Sequence, residues 1–115
     1  MRICRVGLAQ INVTVGDLSG NADRIRSAIA AAREAGCGFV ALPELAVTGY
    51  PPEDLLLRRS FCAESRATVE TIVSATSGIV AIVGFVDWTR DDAYNAAAVI
   101  ADGRWVDTYH KRRLP

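Results

Sequence analysis

Glu44 and Lys111 are the two side chains whose types and placement best support chemistry. Glu44 follows Pro43, at the end of the short apolar run Phe39-Val40-Ala41-Leu42. Such a run reads as a buried strand, and the active sites of α/β sheets collect at the carboxyl edge of their strands. Partial desolvation there would raise a carboxylate's pKa toward that of a useful general base. A solvated loop glutamate or a helix-capping acid fits the same spacing. Lys111 is the only lysine and lies just past a strand end, inside His110-Lys111-Arg112-Arg113. Its ammonium could stabilise a developing oxyanion. Taken alone, a basic run at a strand end is more often simply solvated. His110 is the only histidine and, with no visible partner, reads as incidental.

The three cysteines, Cys4, Cys37 and Cys62, read as small buried hydrophobes. Cys62 lies near a helix start, where a helix dipole would lower its pKa. The odd number, the lack of CxxC spacing and the single histidine exclude a disulfide framework and a Cys/His zinc site. No GxGxxG, phosphate loop, GxSxG or HExxH pattern is present. A nucleotide-binding α/β module is therefore the weakest reading. The 13 basic residues balance 13 acidic ones, which argues against an electrostatic nucleic-acid binder. No apolar run approaches the ~20 residues of a membrane span. The N-terminus lacks the apolar stretch and cleavage site of a signal peptide, so the expected compartment is the cytoplasm.

The elements that must position these residues follow from hydropathy and turn chemistry. Of 115 residues, half are hydrophobic, enough for a core but a marginal one. A mostly buried strand is expected over residues 3–11, and a helix over 22–35 with Ala22, Ile25, Ile29 and Ala32 on one face and Gly36 as its stop. A second strand covers 39–42. The loop that follows contains Tyr50-Pro51-Pro52, where the Pro51–Pro52 bond is a candidate for cis. A second helix is expected over 60–77, with Ser60 as N-cap and Gly78 as stop. Residues 79–86 are apolar throughout and read as a central strand. After a turn at 88–92, strands at 96–101 and 105–109 flank Asp102-Gly103, a strong hairpin signal. The order β-α-β-α-β-β-β implies an α/β fold with crossover connections. Two helices cover one face of the sheet, and little chain remains to cover the other.

Three segments carry a resemblance to a known family. Leu42-Pro43-Glu44-Leu45-Ala46-Val47-Thr48-Gly49-Tyr50 resembles the first catalytic motif of the nitrilase, or carbon–nitrogen hydrolase, superfamily. Tyr109-His110-Lys111-Arg112-Arg113-Leu114-Pro115 is similar to its lysine motif, and Tyr94-Asn95-Ala96-Ala97 to a segment that recurs between them. Two further stretches, Ala9 to Asn21 and Gly49 to Leu57, resemble the N-terminal glutaminase domain of the glutamine-dependent NAD+ synthetases. The resemblance covers the whole chain.

The resemblance implies the N-terminal part of a four-layer α-β-β-α sandwich with a Glu-Lys-Cys catalytic set. Glu44 would be the general base and Lys111 the group that stabilises the tetrahedral intermediate. A cysteine would attack the side-chain amide of glutamine and release ammonia. That ammonia would pass to a C-terminal synthetase domain that uses ATP and Mg2+ to amidate nicotinate adenine dinucleotide. No cofactor is implied for residues 1–115 themselves. The family tends toward homo-oligomers, with no nucleic-acid or membrane partner. Its nucleophilic cysteine follows the lysine motif, so none of Cys4, Cys37 or Cys62 inherits the role. The expectation is an incomplete carbon–nitrogen hydrolase domain over 1–115, inactive alone and prone to aggregation. Another amidase of the superfamily, or a non-catalytic assembly module, remains as an alternative.

Overall fold

Each parallel strand is returned to the sheet by a helix, and the last two strands fold back as hairpins. The computed structural model describes residues 3–52, 55, 58–89 and 92–114. Its elements are β1 (Val6–Leu8), α1 (Leu18–Glu34), β2 (Phe39–Ala41), α2 (Arg59–Ile72), β3 (Val80–Thr89), β4 (Asp92–Ala101) and β5 (Arg104–Arg113). They form one five-stranded sheet in chain order. β1, β2 and β3 pair in parallel, while β3, β4 and β5 pair antiparallel.

Side-chain capping marks the start of α1 but not that of α2. The Asp17 carboxylate accepts a bond from the Gly20 amide at 3.0 Å, so α1 starts at Leu18, four residues before the expected start at 22. Gly36 takes the left-handed conformation just past its end, with φ of 82°. α2 starts at Arg59, so Ser60 lies inside the first turn and is not its cap. The helix ends at Ile72 and tightens into a 3-10 turn over Val73–Ala75. The turn at Asp102-Gly103 has positive φ at both residues, 49° and 77°, the geometry of a two-residue hairpin.

The helices pack against one sheet face. Ile25 and Ile29 of α1 and Val69 and Ile72 of α2 meet Val40, Ala81, Val83, Phe85, Ala98 and Ile100, all fully or almost fully buried. Each of the larger side chains contributes about 1.5–3 kcal/mol by leaving water. Trp105 of β5 closes this core edge-on to Phe85, at 5.4 Å between ring centroids. Asn21, fully buried in α1, receives a bond from the Thr14 amide and donates to the carbonyls of Thr14 and Val47. One side chain thus ties α1 to both loops that rise from the carboxyl ends of β1 and β2.

Among the described residues, the other sheet face is open apart from the turn over Pro43–Ala46, which sits on Gly84. Register places Val6, Leu8, Phe39, Ile82 and Tyr109 there, and all five are exposed. β1 therefore departs from the expected nine-residue buried strand. It is a three-residue edge strand whose Leu8 is 79% exposed, because it has one strand neighbour and no layer above it. Cys4, just before it, is exposed for the same reason rather than buried. The strands after α2 run longer than expected, with β3 reaching Thr89 and β4 starting at Asp92. Arg90 and Asp91 of the expected turn lie outside the described residues, as do Glu53, Asp54, Leu56 and Leu57 of the loop after Tyr50. The cis bond in that loop is Tyr50–Pro51, not Pro51–Pro52. Both bonds precede a proline and either type permits cis, so composition does not choose between them.

Gly84 of β3 lies directly beneath the turn that follows β2. A Cβ at this position would sit 2.5 Å from the Leu45 amide nitrogen and 2.6 Å from the Pro43 carbonyl oxygen. Both neighbours are backbone, so a methyl group must push the turn off the sheet. Gly84→Ala is expected to destabilise the protein by about 1–3 kcal/mol. Thermal unfolding checks this, and an unchanged melting temperature would contradict the close approach.

Candidate active site

The turn over Pro43–Ala46 presents Glu44 above the carboxyl edge of β2. Leu42 still pairs with β3, its amide donating to the Ile82 carbonyl at 2.9 Å. Pro43 then removes the next donor and ends the strand. The Ala46 amide closes the turn on the Pro43 carbonyl at 3.2 Å. Leu45 holds a left-handed φ of 52°, unusual for a branched residue and maintained by a side chain with no exposure at all. The buried Leu45 packs with Cys62, Val86 and Ala93, which leaves its neighbour Glu44 directed outward.

Lys111 arrives by a different device. β5 pairs Arg112 with Asn95 and His110 with Ala96, so Lys111 is one extra residue in the strand. Such a bulge re-aims a side chain. Its ammonium donates to Glu44 Oε1 at 3.1 Å. The Asn95 amide of β4, nearly buried, donates to the same oxygen. Among the described residues no donor is placed on Oε2. The three groups line a shallow cavity of about 200 Å³ on the uncovered sheet face, with Ile82, Gly84 and Tyr109. Larger grooves lie elsewhere, such as one of about 510 Å³ between α1 and α2. Another, of about 390 Å³ beside α2, is lined by Arg59, Arg66, Glu70 and Asp87 and holds none of the Glu44 set.

These contacts reverse the expected electrostatics of Glu44. Its pKa is lowered, first by the hydrogen bond from Lys111 and next by that from Asn95, and these outweigh the small effect of burial. The side chain is about half exposed, which explains why desolvation is minor. The structure therefore brings the two sequence-predicted site residues together, but as an ion pair with an ionised carboxylate. In the sequence Asn95 stands out only as part of the segment Tyr94–Ala97, and nothing there assigns it a partner.

His110 also has a partner, contrary to the sequence reading. Its Nε2 lies 2.8 Å from Asp87 Oδ2, and its ring stacks on Tyr94 with centroids 4.3 Å apart. Asp87 is buried in β3, and its Oδ1 accepts from Arg66 of α2 at 2.8 Å. Burial pushes the Asp87 carboxyl up, but the bonds and charges of His110 and Arg66 together hold it below its usual value. None of the cysteines joins the site. Cys4 and Cys37 precede β1 and β2 and lie at the opposite strand edge from Glu44. Cys62 is buried, and burial raises its pKa, the reverse of what the helix dipole was expected to do. Among the described residues no cluster of His, Cys, Asp and Glu is placed to hold a metal, and no helix is long and apolar enough to cross a membrane.

Comparison with known proteins places this arrangement. The chain is 47% identical over 112 residues to the glutamine-dependent NAD(+) synthetase of Xylella fastidiosa strain Temecula1, covering 96% of this chain and 21% of that protein. It is 43% identical over 117 residues to the synthetase of Thermotoga maritima, covering 100% and 20%. The chain thus spans about a fifth of the length of the curated relatives it matches. Its fold superimposes on the crystal structure of a glutamine-dependent NAD(+) synthetase from Cytophaga hutchinsonii with a TM-score of 0.91, at 28% identity over 97% of this chain and 19% of that one. An amidase from Nesterenkonia sp. shares the fold at a TM-score of 0.79 and 23% identity, over 94% of this chain and 42% of that one. The α-over-β half sheet is thus the N-terminal part of a nitrilase-like fold. The carbon-nitrogen hydrolase family model matches residues 5–115, the whole span that carries the Glu44 turn, Asn95 and the Lys111 bulge, and the chain belongs to that family.

Proposed function

We propose that this chain is the N-terminal part of the glutamine-hydrolysing domain of a glutamine-dependent NAD+ synthetase. The Lys111–Glu44 contact of 3.1 Å, made with Asn95 at the carboxyl edge of the sheet, is the observation that carries the reading. It is supported by the 47% identity to a synthetase across nearly the whole chain.

In this reading a cysteine that follows Lys111 in the complete protein is the nucleophile. Glu44, ionised, takes the thiol proton as the sulfur attacks the side-chain carbonyl of glutamine. The carbonyl oxygen becomes an oxyanion, and the Lys111 ammonium stabilises that charge. The proton on Glu44 passes to the amide nitrogen, the carbon–nitrogen bond breaks, and ammonia leaves with a glutamyl thioester behind. Glu44 then takes a proton from water, which opens the thioester to glutamate and restores the thiol. Ammonia is consumed by a C-terminal synthetase domain, where ATP and Mg2+ drive amidation of nicotinate adenine dinucleotide. Residues 1–115 alone lack the nucleophile and do not turn over glutamine. The uncovered face bearing Phe39 and Ile82 receives the remainder of the domain, and the complete protein forms a homo-oligomer in the cytoplasm.

Two outcomes test the reading. In the complete protein, Glu44→Gln or Lys111→Ala is expected to cut glutamine-driven NAD+ synthesis by about 10²–10⁴-fold, the worth of a general base or an oxyanion donor. Synthesis driven by added ammonia stays intact, and survival of both activities would reject the site. The second outcome concerns charge. Following the Glu44 side-chain carboxyl by NMR across pH should give a midpoint below the ordinary glutamate value of about 4.3. Because the folded pKa is depressed, the pair contributes stability above the unfolded pKa and loses it as pH falls through the folded one. Lys111→Ala should move the midpoint upward, and an unmoved midpoint would show that Lys111 does not hold Glu44 ionised.

A further inference from the structure

The Lys111 bulge needs an anchor, and the residue beside it supplies one. A β-bulge leaves a residue unpaired and weakens the ladder locally. Here the ladder breaks between Asn95 and Ala96, at the point where Lys111 must reach Glu44. His110 sits immediately before the extra residue and turns the other way. Lys111 joins the cavity on the uncovered face, whereas His110 meets Asp87, which is bound to Arg66 of α2 on the helix-covered face. An ionised Asp87 only accepts hydrogen bonds, so His110 Nε2 carries the proton and donates it.

The anchor is itself held from several sides. Asp87 takes bonds from Arg66 of α2 and His110 of β5, and its Oδ1 also accepts from the Trp88 amide. The Arg66 guanidinium lies 4.7 Å from the centre of the Trp105 ring, so α2, β3 and β5 meet at one buried carboxylate. Tyr94 stacks flat on the His110 ring, at an interplanar angle of 9°, and fixes its orientation from β4. Tyr94 adjoins Asn95, the second donor to Glu44. Both arms of the Glu44 contact are therefore backed, one residue away, by the same ring stack.

We propose that Asp87 and His110 are a positioning pair that locks the β5 bulge and so aims Lys111 at Glu44. Neither touches the reacting atoms, because both face the helices rather than the cavity. The inference rests on the reading of Lys111 as the oxyanion-stabilising group.

The test uses the complete protein, with glutamine-driven and ammonia-driven NAD+ synthesis measured in parallel. His110→Ala is expected to lower kcat with glutamine by about 10²-fold, the cost of a misplaced catalytic group. KM for glutamine and the ammonia-driven rate stay near wild type. His110→Gln, whose amide can donate to Asp87, recovers most of the loss. Asp87→Ala matches His110→Ala, and the double variant loses no more than either alone, as residues acting in one unit should. An unchanged kcat in His110→Ala overturns the proposal, provided Lys111→Ala abolishes the glutamine-driven rate. Equal loss of glutamine- and ammonia-driven rates in both His110 variants also overturns it, because the pair would then serve the fold in general. If Lys111→Ala keeps the glutamine-driven rate, the reading of Lys111 fails instead.

Discussion

One carboxylate oxygen organises this structure. Glu44 Oε1 takes hydrogen bonds from Lys111 on β5 and Asn95 on β4, while its own backbone sits on a turn held down by Gly84 of β3. Four segments of the chain converge on a group no larger than a carboxyl. The long β3–β4–β5 meander supplies the precision, since antiparallel pairs fix register along ten-residue strands. The shorter parallel strands contribute the edge from which Glu44 projects.

The two faces of the sheet divide the labour. The helix side is cross-braced, with a core of aliphatic side chains and the buried Asp87 that joins α2 to β5. The other side carries the Glu44–Lys111 cavity among exposed apolar residues. A charged pair half open to solvent is weakly held by Coulomb attraction alone. Its geometry therefore depends on the backbone beneath it: a buried Leu45 at positive φ, a glycine with no room for a methyl group, and a bulge fixed by its neighbour.

Much of this was legible in the amino-acid order. The alternation of strands and helices, the glycine after α1 and the Asp102-Gly103 hairpin all follow from local chemistry, and all appear in the structure. Glu44 stands at a strand end as its spacing implies, whereas Lys111 lies within β5, which runs on to Arg113 instead of stopping at residue 109. Features set by a partner distant in the chain are not legible in local order. The pKa of Glu44 moves down, not up, because it accepts hydrogen bonds from Lys111 and Asn95, which lie 67 and 51 residues away in the chain. His110 gains a role only through Asp87, which no spacing connects to it. Asp17 reads equally as a loop residue and as a cap, so the start of α1 at Leu18 does not follow from the sequence. An apolar run over residues 3–11 does not reveal that β1 is an edge strand whose pairing with β2 spans only Val6–Leu8.

The most direct test supplies the complete protein with nicotinate adenine dinucleotide, ATP, Mg2+ and glutamine carrying heavy nitrogen in its side-chain amide. Mass spectrometry of the product then follows that atom. Heavy nitrogen in the carboxamide of NAD+ is the predicted result. NAD+ formed without the label, or labelled glutamine left unconsumed while free ammonia is used, would contradict the assignment of this chain to glutamine hydrolysis.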